Sequence, residues 1–227
     1  MPPELPRPEG LIFDLDGTLV DTVHARIGGW TEALGMAGLE TSADDVGPLI
    51  GMDGRRLARE IAEKAGRSLS DDDVESIDHD AGEAFDRRNA TPRPLPGLGE
   101  TLAAIDRCGS RWLIATSSRA EQVRGSVAAL GLEHEPTIVD GSHVGHAKPA
   151  PDLLLLAAQR LGAAPERCWA VGDSTWDVRA AIAAGMTPIG VTAGSAVSAV
   201  DLRTAGAAVV LPTLVELATL VDAACSE

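Results

Sequence analysis

Short apolar runs, each followed by Gly, Thr or Asp and then by a helical pattern, recur along most of this 227-residue chain. The runs are continuous rather than alternating, which is typical of strands buried on both faces of a parallel sheet. Strands are predicted at 11–13, 112–115, 137–139, 169–171, 189–191 and 208–210. Strands that alternate with helices predict an α/β fold, a Rossmann-like doubly wound parallel sheet with helices on both faces.

Residues 21–93 interrupt this rhythm. Three helical patterns, at 23–36, 55–65 and 72–88, follow one another with no convincing strand between them. A tight turn is predicted at 51–54, and prolines from Pro92 onward form a stiff return to the sheet. The sequence therefore predicts an all-helical insertion at 21–93, with 1–20 and 94–227 forming the α/β core domain.

Charge and composition exclude several classes of function. The formal net charge of −15 argues against a nucleic-acid partner, whose phosphates would be repelled. No apolar stretch approaches the roughly 20 residues that cross a bilayer, and the first ten residues do not resemble a secretory signal. Cys108, Cys168 and Cys225 are widely spaced and odd in number, so free thiols in a reducing cytoplasm are expected.

The segment after the first predicted strand carries two carboxylates, Asp14 and Asp16, followed by Gly17. Alternation along a strand aims both carboxylates the same way, and Gly17 lets the backbone turn sharply after them. Carboxylates so close together repel each other unless a cation or a shared proton compensates, which favours a hard metal ion. A solvated acidic turn is the alternative for this motif alone.

Three further segments place polar groups at the ends of other strands. Thr116 ends the second predicted strand, and Asp173 ends the fourth, with Asp177 one helical turn further on. Ligands of such sheets bind beyond the carboxyl ends of the strands. Lys148, before Pro149, is one of two lysines in a chain that otherwise uses arginine. Singly, the Thr and Asp residues are also typical of helix caps, and Lys148 is also typical of an ordinary surface lysine. Together they predict one site.

Segments 13–22, 115–118, 148–152 and 172–177 resemble the motifs of the haloacid dehalogenase-like hydrolases, in the order and at spacings compatible with that family. The resemblance lies within the phosphoglycolate phosphatase and β-phosphoglucomutase-like branch and covers nearly the whole chain. It implies that the helical insertion is a cap domain. It also implies a phosphatase that hydrolyses a small phosphate monoester through an aspartyl phosphate.

The resemblance implies a catalytic role for each core motif. Asp14 is expected to be the nucleophile and Asp16 the general acid/base. Thr116 and the Ser117 N–H are expected to bind the phosphate. Lys148 is expected to neutralise the Asp14 carboxylate and the phosphoryl oxygens.

The resemblance further implies a magnesium site. Asp173 and Asp14 are the expected carboxylate ligands, and Asp16 is expected to contribute its backbone carbonyl. Asp177 and Thr22 are expected to support these groups.

Substrate recognition by the helical insertion is less well defined by the sequence. His24, Arg26, Arg55 and Arg56 are candidates there, and His24 and Arg55 are the ones we predict to bind substrate. Arg119, just after the phosphate motif, is predicted to touch the phosphate. Ordinary helix-surface positions are the alternative for each of them.

Two other functions remain open at this stage. A phosphomutase of the same branch would return the phosphoryl group to another sugar hydroxyl. A phosphoacceptor signalling module also combines aspartates, a Thr and a Lys on a parallel sheet, although Asp16 and the large insertion argue against it. The expected partner is a small phosphorylated metabolite, and neither nucleic acid nor a membrane is expected to bind. The protein is expected to be cytoplasmic and either monomeric or weakly dimeric.

Overall fold

The computed structural model describes residues 5–226. Within them, six strands form one parallel sheet: β1 (Gly10–Phe13), β2 (Arg111–Ala115), β3 (Ile138–Val139), β4 (Cys168–Gly172), β5 (Thr187–Val191) and β6 (Val209–Leu211). Their order is β3-β2-β1-β4-β5-β6, so the chain builds outward from β1 first to one side and then to the other. That order is the Rossmann-like doubly wound arrangement, and the predicted fold class is confirmed.

The α-helices belong either to the insertion or to the layers that cover the sheet. Those of the insertion are α1 (Val23–Met36), α2 (Ala43–Val46), α3 (Gly54–Lys64) and α4 (Asp71–Arg88). Those of the sheet layers are α5 (Leu98–Cys108), α6 (Ala120–Ala129), α7 (Asp152–Leu161), α8 (Thr175–Ala183), α9 (Ala199–Ala205) and α10 (Leu214–Cys225). Alternation along β1 explains how both sheet faces are covered. Leu11 and Phe13 pack in the cluster that includes α5 and α10. Ile12 points the other way, into the cluster that includes α7 and α8.

Helices α1–α4 form a second apolar cluster of their own. We call them, with their connecting turns, the helical unit (residues 22–89). Its core is formed by apolar side chains on the facing sides of these helices. Among them are Leu57 and Ile61 of α3 and Val74 and Ile77 of α4. Trp176 of α8 is buried in this same cluster, although α8 belongs to the sheet layer. The helical unit therefore packs directly on the residues that follow β4.

The chain passes between the sheet and the helical unit at two adjacent places. Val20 forms an antiparallel bridge with Pro94. The Asp21 N–H donates to the Arg93 carbonyl at 2.9 Å, and the Leu95 N–H donates to the Leu19 carbonyl at 2.8 Å. The outgoing and returning segments are thus hydrogen-bonded to each other, and we call this pair of segments the neck.

The cysteines differ from the expectation of three free thiols, which is wrong. Cys108 and Cys225 form a disulfide, whereas Cys168 is free and buried. Helices α5 and α10 begin side by side, with Thr101 Oγ1 donating to the Leu214 carbonyl at 2.7 Å, and each ends on one of the paired cysteines. Disulfides are rare in reducing compartments, so the cysteines no longer support the predicted cytoplasmic location.

A membrane-crossing helix is likewise not found: none of the helices within residues 5–226 has both the length and the apolar character required.

Candidate active site

The loop that follows β1 places both of its carboxylates at the centre of the sheet edge. The Asp14 N–H donates to the Val171 carbonyl of β4 at 2.8 Å, which anchors the loop between the two central strands. Gly17 has a φ of 84°, and a Cβ there would lie 2.4 Å from Asp173 Oδ2. Glycine is therefore required both for the backbone conformation and for the close approach of the Asp173 carboxylate.

Lys148 lies at the heart of the site, with only 1% of its surface exposed. Its Nζ donates to Asp14 Oδ1 at 2.5 Å and to the Ala115 carbonyl at 3.0 Å. Nζ also lies 2.6 Å from Asp177 Oδ1, where the two groups form an ion pair without the angles of a hydrogen bond. A compact ammonium thus bridges the carboxylates that follow β1 and β4, where a lysine supplies a point charge that a wider guanidinium would not.

Asp173 and Asp177 are held by the residues around them. Asp173 accepts a hydrogen bond from Thr18 Oγ1 at 3.1 Å. Asp177 Oδ2 accepts from the Ser174 N–H at 3.0 Å and from its hydroxyl at 2.5 Å, as part of the capping box that begins α8. The cap explains why the motif is found at a helix start, and it leaves Asp177 Oδ1 turned into the site.

Asp14, Asp173 and Asp177 form the cluster that fits a metal ion. One carboxylate oxygen from each lies within 4.8 Å of the others, and all three residues are buried. Together with the single ammonium of Lys148, these three carboxylates leave a formal charge of −2 in a buried site. Isolated buried charge is costly, so the donor set fits a hard divalent cation. From the sequence, Asp177 is expected only to support the metal ligands, whereas its carboxylate belongs to this cluster.

The protonation equilibria of the cluster reflect this excess of negative charge. Burial, together with the charges of Asp177 and Asp16, raises the pKa of Asp14 to about 7 against the opposing effect of Lys148. Burial, followed by the charges of Asp177 and Asp14, raises the pKa of Asp173 well above its usual value. Burial lowers the pKa of Lys148, but the two carboxylates beside it raise it by more. The lysine therefore stays protonated.

Asp16 contacts the helical unit instead of the acidic cluster. Its Oδ1 accepts from Thr22 Oγ1 at 2.8 Å, and its Oδ2 accepts from Arg26 Nη2 at 2.6 Å and from Arg26 Nε at 3.2 Å. Ser118 Oγ lies 3.4 Å from the same Oδ2. The Arg26 guanidinium also stacks 3.7 Å from the Phe85 ring centroid on α4. Thr22 and Arg26 thus hold the carboxylate from the helical unit.

Arg26, rather than His24, is the α1 side chain that reaches the site. His24 is exposed and is not among the described residues that line the cavity. Residues two apart on a helix point in nearly opposite directions, so only one of the two can face inward. A signal for Arg26 was present in the sequence, because it lies on the same helical face as Val23 and Trp30, where an apolar residue is expected.

The turn after β2 lies against the helical unit. Thr116 is buried, and its Oγ1 accepts from the Ser118 N–H at 3.2 Å. Ser117 Oγ donates to the Gly51 carbonyl at 3.1 Å. Gly51 has a φ of 96°, and a Cβ there would lie 2.5 Å from Ser174 Oγ. The turn at 51–54 thus rests on residues that follow both β2 and β4.

A cavity of about 80 Å³ lies between the sheet edge and the helical unit. Asp14, Asp16, Thr116 and Ser117 line it from the sheet, as does Arg119. These are five of the residues that the sequence grouped at one site, and the structure brings them together.

The two predicted substrate-binding arginines are already paired in this structure. Arg55 lines the cavity, with Nη2 3.6 Å from Asp53 Oδ2. Arg119 reaches across to α4, where its Nη2 lies 2.8 Å from Glu75 Oε1 and 3.7 Å from Asp78 Oδ2. Arg119 therefore joins the turn after β2 to the helical unit.

Comparison with known proteins gives one consistent result. A family model for haloacid dehalogenase-like hydrolases matches residues 8–185. The chain is 34% identical to the fructose-1-phosphate phosphatase YqaB of Escherichia coli K12 over 189 residues, which is 80% of this chain and 95% of that protein. It is 31% identical to a phosphoglycolate phosphatase of Shigella boydii serotype 4, covering 82% and 81%. A hydrolase from Pseudomonas syringae superposes with a TM-score of 0.90 at 31% identity, covering 95% and 98%.

Proposed function

Because the chain belongs to the haloacid dehalogenase-like hydrolase family, as its motifs predicted, we propose that it is a phosphatase that transfers a phosphoryl group from a small phosphate monoester to Asp14 and then to water. The single observation that carries this proposal is the position of Lys148 Nζ, 2.5 Å from Asp14 Oδ1 in a buried site. Such a contact keeps a carboxylate oxygen fixed and lets it approach an anionic phosphate.

In the first step, an Asp14 oxygen forms a bond to phosphorus while the bond from phosphorus to the leaving-group oxygen breaks. Asp16 lines the same cavity; in its protonated form it gives the departing oxygen a proton and becomes a carboxylate. In the second step, Asp16 takes a proton from water, which attacks phosphorus and releases inorganic phosphate and the Asp14 carboxylate. Thr116 and Ser117 line the cavity where the phosphate oxygens would lie.

The acidic cluster supports a magnesium requirement. Asp14, Asp173 and Asp177 are the residues that would hold Mg²⁺, in line with their hard oxygen donors and the formal charge of −2 that they leave with Lys148. When bound, Mg²⁺ would supply charge neutralisation for the phosphoryl oxygens. Thr18 and Ser174 would then keep Asp173 and Asp177 in place through their hydrogen bonds.

The helical unit supports a cap role, for which we propose residues 21–93. It supplies Arg26 to Asp16 and rests its turn at Gly51 on Ser117. A closed cavity excludes bulk water from the transfer step and favours small substrates. A small phosphorylated metabolite is therefore the proposed substrate, and the named relatives act on fructose 1-phosphate and phosphoglycolate.

The test is release of inorganic phosphate from p-nitrophenyl phosphate with and without Mg²⁺, combined with mass spectrometry of acid-quenched protein. Turnover that requires Mg²⁺, together with a phosphoryl group on Asp14, is the expected result. A lasting phosphoaspartate with no turnover would instead favour the phosphoacceptor module. Conversion of a hexose 1-phosphate to its 6-phosphate without phosphate release would favour the mutase.

A further inference from the structure

The cavity has a second end, formed by the helical unit, which the phosphoryl chemistry does not use. Trp30 of α1 and Asp78 of α4 line it there, and Gln122 of α6 lines it from the sheet layer. A phosphate held beside Asp14 and Thr116 would point its leaving group toward this end. The side chains found here therefore decide which leaving groups are accepted.

Asp78 is the largely buried anion of this end. Its side chain is 14% exposed, whereas that of the neighbouring Glu75 is 51% exposed, and Glu75 is not among the described residues that line the cavity. Burial raises the pKa of Asp78 against the opposing effect of Arg119, and Asp53 and Glu75 raise it further. The cavity thus already contains the carboxyl group of Asp78, and a second negative charge placed beside its ionised form would be repelled.

Each cation that lines the described cavity already has a carboxylate partner. Arg26 is bound to Asp16, and Arg55 faces Asp53 at 3.6 Å. Arg119 faces both Glu75 and Asp78. A carboxylate or second phosphate on the leaving group would have to compete with these partners. Two like charges a few ångströms apart repel each other, and a partly buried site screens that repulsion less than bulk water does.

Hydroxyl groups fit the same surroundings without that cost. A hydroxyl both donates and accepts, so one can donate to the Asp78 carboxylate and accept from Arg119 or from the Gln122 amide. Trp30 offers an apolar aromatic surface beside them, against which the C–H groups of a sugar or polyol can pack. Donors, acceptors and an aromatic ring around one small cavity suit a neutral polyhydroxylated group.

Resting on the proposed phosphatase function, we propose that Asp78 is a specificity-determining residue that selects phosphate monoesters of neutral polyhydroxylated leaving groups, a sugar or a polyol. It would do so by accepting hydrogen bonds from their hydroxyls and by repelling leaving groups that carry a carboxylate or a second phosphate.

The experiment compares kcat/KM of the full-length protein with Mg²⁺ on four substrates: a hexitol phosphate, phosphoglycolate, a hexose 1,6-bisphosphate and p-nitrophenyl phosphate. The wild type is expected to favour the hexitol phosphate over phosphoglycolate and the bisphosphate by about tenfold or more. In Asp78→Asn, the ratio of kcat/KM for the hexitol phosphate to that for phosphoglycolate is expected to fall about tenfold, mainly through KM.

The matched control is Glu75→Gln, which removes the other carboxylate partner of Arg119 but changes no described cavity-lining residue. Its ratio is expected to match the wild type. A wild-type preference for phosphoglycolate or the bisphosphate would overturn the proposal, and that result requires no variant to fold. An unchanged ratio in Asp78→Asn, or an equal shift in Glu75→Gln, would also overturn it. Failure to hydrolyse all four substrates would instead refute the phosphatase function, and the inference with it.

Discussion

Arg26 donates to a single oxygen, Oδ2, of Asp16 from both Nε and Nη2, at 3.2 and 2.6 Å. Both residues are buried, and Thr22 Oγ1 binds the other carboxylate oxygen. The proposed acid/base is therefore held by two residues of the helical unit, although it belongs to the loop after β1. Its orientation depends on how the helical unit packs.

Replacing this guanidinium should slow turnover. We expect Arg26→Ala to lower kcat/KM on p-nitrophenyl phosphate by about 10²-fold, because the Asp16 carboxylate loses two of its donors and its fixed position. Arg26→Lys should restore part of the rate, since one ammonium can replace one of the two contacts. Thermal unfolding measured alongside separates misorientation from loss of fold. Wild-type rates in Arg26→Ala would show that Thr22 suffices.

Asp14→Asn should abolish turnover while leaving the fold intact. The amide is nearly isosteric but cannot form the acyl phosphate, so kcat should fall by more than about 10³-fold. Circular dichroism should match the wild type. Quenched-reaction mass spectrometry should find no phosphoryl group at this position. Residual turnover close to that of the wild type would remove Asp14 from the nucleophile role.

Lys148→Met should reduce both activity and stability. Its ammonium is the cation between Asp14 and Asp177, and removing one partner of a buried ion pair typically costs about 3–5 kcal/mol. We expect that loss in the free energy of unfolding by urea, together with a rate loss of about 10²-fold or more. Lys148→Arg should not restore the rate fully, because a wider guanidinium does not fit a side-chain site that is 1% exposed. Equal rates for Lys and Arg would show that charge alone matters there.

Magnesium should stabilise the protein more strongly at high pH. Without metal, the pKa of Asp14 is raised to about 7, so the folded chain binds this proton more tightly than the unfolded chain. This group therefore makes the metal-free protein less stable as pH rises from about 4 to about 7. Metal binding requires the ionised carboxylates, so the rise in Tm on adding Mg²⁺ should be larger at about pH 8.5 than at about pH 5.5. Calorimetry with Mg²⁺ and with EDTA measures this difference in Tm at each pH. A rise in Tm that is the same at both pH values would contradict the assignment of the metal ligands.

The disulfide should contribute to stability without acting in catalysis. Cys225→Ser should lower the free energy of unfolding by about 2–5 kcal/mol under non-reducing conditions, because the bond to Cys108 spans 117 residues. Dithiothreitol should produce a similar loss in the wild type and little further loss in the variant. Thiol titration of unreduced, denatured protein should find only Cys168 free. Three reactive thiols would contradict the pairing.

The core motifs could be predicted from the sequence because each directly follows a predicted strand. The carboxyl ends of neighbouring parallel strands meet at one edge, so Asp14, Thr116 and Asp173 had to lie near one another. Contacts made by the helical unit could not be predicted in this way. The apolar face of α1 indicates that Arg26 rather than His24 points inward. That Arg26 meets Asp16 there depends on how α1 packs against the loop after β1, and local spacing near the active-site motifs does not determine that packing.

The disulfide and the Arg119 ion pairs were missed for a related reason. Cys108 and Cys225 are 117 residues apart in the sequence. They meet only because α5 and α10 start side by side in the fold. Arg119 meets Glu75 only where α4 packs over the turn after β2. Such contacts depend on the placement of whole elements rather than on the pattern within one of them.

The neck has a mechanical consequence. Val20 bridges Pro94 on one side and pairs with Asp16 on the other, so the segment that carries the acid/base is itself one of the two segments of the neck. Because the two segments of the neck are hydrogen-bonded to each other, we expect the helical unit to rotate about one axis at the neck rather than to slide over the sheet. Any such rotation would move the backbone next to Asp16 and, through Arg26, its carboxylate. Admission of the substrate and alignment of the acid/base would then share a single degree of freedom.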